Sequence, residues 1–184
     1  MSSVSRVDIF LETERLILRR FTESDADDLF ALDNDPEVME FINGGKPTPR
    51  EEIVEETLPW FITHDFFAVV EKPSGAFLGW FHLRPRKGEP DDEPELGYRL
   101  HMSAWGKGYA TEGSLALIDK AFRDRGARRV YAQTMAVNLR SRRVMEKCGL
   151  THTRTFHPEW DDPLPGTEEG EVEYELTRAD WETR

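Results

Sequence analysis

Cys148 is the sole cysteine of the 184-residue chain, which excludes an internal disulfide and a cysteine-based metal cluster. A lone cysteine of this kind reads as a small buried hydrophobe. Basic side chains are also scarce: 24 Lys and Arg stand against 36 Asp and Glu, for a net charge of −12. Such a surface repels nucleic acid and anionic membrane and draws cations at long range. Most of that charge serves solubility, and it also suits an amine substrate. No stretch approaches the ~20 apolar residues needed to cross a bilayer. The start, MSSVSRVDIF, has no apolar run of signal-peptide length. The expectation is a soluble, cytoplasmic protein. His64, His82, His101, His152 and His157 lack close ligand spacing, so no metal is expected.

The chain does carry a hydrophobic fraction of 38%, enough for one globular domain spanning 1–184, with its core at about 11–181. LETERLILRRF (11–21) alternates and reads as a strand. A helix follows from Thr22 or Ser24 to Pro36, and a second begins with Thr48 as cap and Pro49 at its first position. DFFAVVEK and GAFLGWFHLRPR form a hairpin about PSG, and ELGYRLHM is the next strand. A helix runs from about Tyr109 to Arg125, closed by Gly126. RRVYAQTM is a strand. NLRSRRVMEKCG is a helix capped by Asn138 and stopped by Gly149, and LTHTRTF and EVEYELTR are two late strands. The Pro- and acid-rich stretch 157–170 between them reads as a loop. This order predicts an α/β domain with a mixed sheet and a right-handed parallel crossover across 95–134.

WGKGYATEG (105–113) places glycines between a strand and a helix N-terminus. Free N–H groups and the helix dipole there attract an anion, and Gly106 and Gly108 let a phosphate approach the backbone. A P-loop needs Ser or Thr after Gly-Lys, but Gly108 follows Lys107. A dinucleotide fingerprint needs glycine where Thr111 stands. WGKGYATEG together with NLRSRRVMEKCGL resembles the GNAT acetyltransferase superfamily. Trp105 takes the Gln/Arg place of its acetyl-CoA loop, with Gly108 and Ala110 in register. ETERLILRRFTESDADDLFAL, ELGYRL and YELTRADW resemble the subgroup of ribosomal-protein N-terminal acetyltransferases.

The resemblance implies a single GNAT-like domain, with a mostly antiparallel sheet, a central parallel βαβ crossover and helices on both faces. It implies acetyl-CoA as co-substrate, its pyrophosphate on the amides of Gly106, Lys107, Gly108, Tyr109, Ala110 and Thr111. The pantetheine arm would pair with Leu100, His101 and Met102. Asn138 would bond that arm, Ser141 would face the thioester, and Lys107 and Arg143 would reach the phosphate end. The acceptor would be a primary amine, a protein N-terminal α-amine by subgroup or a small amine such as an antibiotic or polyamine. A CoA-binding module without turnover is the alternative. An exposed edge of this fold permits a homodimer.

Acyl transfer needs a proton acceptor, since a lysine-like amine has a pKa of about 10.4. Strand alternation puts Glu95, Gly97, Arg99 and His101 on one face, and Glu95 is the candidate base. A backbone N–H near Leu100 to Met102 would hold the carbonyl oxygen. Relatives place a Tyr acid four residues after Ser141. Met145 stands there, so Ser141 becomes the candidate donor to the leaving sulfur. DPEVMEFI, Trp60, Trp80 and His82 are candidates for an apolar acceptor pocket, with Glu159, Asp161 and Asp162 drawing a cation.

Overall fold

The computed structural model describes residues 7–184. Residues 1–6, on which the reading of the N-terminus and the start of the 1–184 domain partly rest, lie outside the described residues. Eight strands form one sheet: β1 (Ile9–Glu12), β2 (Leu16–Arg20), β3 (Phe66–Glu71), β4 (Phe77–Arg84), β5 (Glu95–Leu100), β6 (Arg129–Met135), β7 (Thr151–Phe156) and β8 (Glu171–Thr177). Their order is β1-β2-β3-β4-β5-β6-β8-β7, and β5 and β6 alone are parallel neighbours. The crossover between them is α5 (Tyr109–Asp124). Among the described residues no helix is long and apolar enough to cross a membrane.

Residues 11–21 are not one strand. They are parts of a hairpin, turned where Thr13 Oγ1 accepts from the Leu16 amide at 3.0 Å. The segment before β3 holds α1 (Ala26–Asp33), α2 (Glu40–Asn43), α3 (Arg50–Glu52) and α4 (Leu58–Thr63). Pro49, not Thr48, occupies the cap of α3, and a single π-turn (Ile53–Thr57) joins α3 to α4. α6 (Leu139–Lys147) follows β6, and α7 (Arg178–Glu182) ends the chain by stacking Trp181 on Phe122 at 5.1 Å.

Both sheet faces are covered. Leu16, Leu18, Phe67, Phe81, Leu117 and Ile118 pack one core on the α5 side, where Cys148 is buried and its thiol is pushed up to about 11 by that burial. Phe21, Leu29, Ile53, Phe61, Phe66 and Trp80 pack another on the α1–α4 side. Phe81 fixes the height of α5 above the sheet. A Cβ on Gly113 would lie 2.4 Å from its ring, so the helix settles there only because position 113 has none.

Candidate active site

Parallel pairing of β5 with β6 stops after one rung, Glu95↔Tyr131, where the Tyr131 amide donates to Pro94 O at 3.3 Å. Beyond it the strands part. The His101 amide is committed to Leu78 of β4 at 2.8 Å, which removes it as a donor to a ligand. Alternation then turns the Tyr98 and Leu100 amides toward the gap. The gap opens into a cleft of about 760 Å³, between α6 and the α5 N-terminus on one side and α2 on the other.

The glycine loop forms the cleft's floor. Gly106 and Gly108 have φ of 71° and 81°, and Gly108 caps α5. Among the described residues no acceptor takes the amides of residues 106–111, while Glu112 N begins the helix by bonding Gly108 O at 2.9 Å. A cluster of amides at a helix start fits a pyrophosphate. A brace holds this loop. Glu112 accepts from Thr13 Oγ1 at 2.6 Å and from the Arg15 amide and Nε at 2.9 and 2.7 Å. Arg15 also donates to Lys107 O at 2.9 Å and lies 4.4 Å over the Tyr109 ring. Burial alone would raise the Glu112 pKa, but those donors hold it below the usual range.

Trp105 stands where the resemblance expects Gln or Arg, and its role is different. Its indole N–H donates to the Leu100 carbonyl at 3.0 Å, closing one gap-facing group, and Arg140 lies 4.4 Å over its ring. On α6, Asn138 Oδ1 accepts from the Ser141 amide at 3.2 Å, so it caps the helix while bordering the cleft. Ser141 Oγ lies 3.0 Å from the Tyr98 hydroxyl, which also reaches Ser141 O at 3.1 Å. Burial raises the Tyr98 pKa beyond the ordinary phenol value, against the Ser141 bond, so the phenol keeps its proton at neutral pH. Met145 is 2% exposed and belongs to the core instead of the gap.

Of the expected cofactor residues, Leu100, Met102, Trp105, Gly106, Gly108, Tyr109, Ala110, Thr111, Asn138, Ser141 and Arg143 border the cleft. His101 and Lys107 do not; the His101 ring lies against Phe77 at 6.1 Å. The cationic wall comes from α6, where Arg140 and Lys147 join Arg143. Glu95 sits at the far end of β5, outside the cleft wall, 3.2 Å from Arg86 Nε. Burial raises its pKa, opposed by Arg86 and Arg84.

On the opposite side Glu37, Val38, Glu40, Phe41 and Ile42 border the cleft, as the DPEVMEFI stretch suggested. Arg99 closes that side, tied to Asp33 at 2.6 Å. Trp60, Trp80 and His82 are elsewhere. Trp80 is core, Trp60 stacks on His64 at 3.3 Å, and the His82 ring covers Gly97 with its pKa pushed down to about 3 by burial. In the late loop Asp162 bonds Lys46 at 2.5 Å. Sequence reasoning missed Tyr98. The signal was its place two residues before Leu100, on the pleat opposite Glu95. No group of three or more His, Cys, Asp or Glu is placed to hold a metal among the described residues.

A family model described as an acetyltransferase (GNAT) domain matches residues 15–151. An FsC-acetyl coenzyme A-N(2)-transacetylase of Aspergillus fumigatus is 37% identical, the match covering 93% of this chain and 77% of that protein. A GNAT-family acetyltransferase from Bacillus anthracis shares the fold with a TM-score of 0.79 at 24% identity, over 93% of this chain and 99% of that one. The aminoglycoside acetyltransferase AAC(6')-Ib, solved with coenzyme A, superposes with a TM-score of 0.71 at 21% identity, over 91% and 98% of the two chains.

Proposed function

This chain belongs to the GNAT family of acetyl-CoA-dependent N-acetyltransferases, and from that we propose that its acceptor is the amine of a small molecule entering beneath α2. The observation that carries the reading is the cleft itself. Free amides and arginines line one side, the Tyr98–Ser141 pair sits in the middle, and Glu37 and Glu40 stand on the other beside Phe41 and Ile42. Carboxylates suit an ammonium, and the apolar pair suits its carbon stem. The name of the 37% identical relative, which places transfer on an N(2) amine, agrees with it. A protein N-terminal α-amine is the second reading, favoured by the residue pattern at 12–32, 95–100 and 174–181.

Acetyl-CoA, when bound, supplies an acyl group activated as a thioester. The amides of residues 106–111 would hold its pyrophosphate, and Arg140, Arg143 and Lys147 its phosphate end. The Leu100 amide faces the gap and would hold the carbonyl oxygen as charge gathers there. Tyr98 stays protonated and would pass a proton through Ser141 Oγ to the departing sulfur. Glu95 lies at the far end of β5 and would take the amine's proton only through a relay of several waters.

Thiol release from acetyl-CoA, followed with a panel of small amines and N-terminal peptides and checked by product mass, tests the acceptor. Turnover of peptides alone would replace the first reading by the second. Tyr98→Phe and Ser141→Ala should each lower kcat about tenfold. That is less than the usual 10²–10⁴-fold for a general acid, because a thiolate of pKa about 8.5 leaves readily. The double variant should be no worse than either single one, since the two hydroxyls form one relay. Additive losses would assign them separate roles. Glu95→Gln should lower kcat more than it raises KM, most near pH 6 where free amine is scarcest. A flat ratio to the wild type across pH 6–9 would remove Glu95 as the base.

A further inference from the structure

Beside the cleft lies a second cavity of about 260 Å³, and Phe41 and Ile42 of α2 line both. Its polar lining sets the carboxylates of Glu171 and Asp162 beside Lys46, Asn43, Thr167 and the Trp160 indole. Glu171 opens β8 in register with Met135 at the mouth of the gap, and its carboxylate takes no hydrogen bond or ion pair among the described residues. The Oδ1 of Asn43 is buried without a partner, its amide nitrogen being spent on Lys46 O at 3.1 Å. Lys46, the cation on the rim, is already neutralised by Asp162. Trp160, 49% exposed, adds a free aromatic face.

An unpaired carboxylate and an indole face share one complement, an organic cation. We infer that this cavity is a distal subsite for a second ammonium group, so that the preferred acceptor is a small amine with one nitrogen at the thioester and another against Glu171 and Trp160. The inference rests on the small-amine reading above. Burial raises the Glu171 pKa, opposed by the charge of Arg86. Lys46, just after α2, pairs with Asp162 of the late loop, and Trp160 of the same loop lines the cavity.

The experiment compares α,ω-diaminoalkanes with monoaminoalkanes of equal length by acetyl-CoA thiol release. The wild type should favour diamines about tenfold in kcat/KM, through KM, on the scale of one charge-assisted hydrogen bond. In Glu171→Gln that ratio should fall toward one, and in Glu171→Asp, which keeps the charge, it should largely survive. Equal use of both amine series by the wild type, or a ratio untouched in Glu171→Gln, overturns the subsite while keeping the small-amine acceptor. No thiol release with any small amine overturns both.

Discussion

Gly108→Val should leave a folded but weakened protein whose affinity for acetyl-CoA is lower by about 10²-fold or more. Gly108 caps α5 at φ 81°, a region that a β-branched residue enters only with strain. Relief of that strain would rotate the amides of the first helical turn away from the cleft. Each charge-assisted bond to a phosphate lost in this way costs about 1.5–3 kcal/mol, and two suffice for the expected loss. Gly126 supplies the control. It has φ 66° at the opposite end of α5, with nothing within 4 Å of a Cβ. Gly126→Val should show similar destabilisation in urea and unchanged acetyl-CoA binding by calorimetry. Equal affinities in the two variants would confine Gly108 to making the turn.

Phe81→Ala should cost about 3–5 kcal/mol of folding stability, the usual range for removing a fully buried ring. Its side chain is 0% exposed in the centre of β4, beneath α5 and 6.0 Å from the Tyr98 ring. Domains of this size have about 5–15 kcal/mol in total, so the variant should unfold at markedly lower urea. Its partner position gives the coupling test. Gly113→Ala should destabilise the wild type by about 1–3 kcal/mol through overpacking, and should do so much less once the ring is gone. Additive losses would mean that α5 does not rest on this ring.

The crossover and its glycine loop were legible because their signals are local: a strand, a helix start, and residues that permit positive φ at Gly106 and Gly108. Asn138 was legible as a cap for the same reason. The β1–β2 turn was not, since TER contains no Gly, Pro or Asn and the alternation continues through it; long-range bonds from Thr13 and Arg15 to Glu112 fix it instead. α2 is one turn long, too short for a periodic signal, and Gly44 at φ 73° ends it. The direction in which the site's side chains point was not legible in the sequence. Lys107 lies in the loop, but only the fold decides that Arg140 and Lys147 of α6 face the cleft in its place. Glu95 drew attention as the carboxylate on β5, while the hydroxyl beside Ser141 belongs to Tyr98 on the other pleat.

Among the described strands β8 comes last in the chain, yet it sits between β6 and β7. β6 meets β5 at one residue pair but meets β8 along its length, from Arg129↔Thr177 to Met135↔Glu171. β7 has β8 as its neighbour in the sheet. β1 to β5, by contrast, pair in chain order, the arrangement with the shortest loops to close. During synthesis the first five strands can therefore assemble as they leave the ribosome, while β6 and β7 wait with open edges for residues 171–177. The half of the sheet that carries α6 is completed only once residues 171–177 are available, so termination before β8 yields a chain with a finished amino-terminal meander and open edges on β6 and β7.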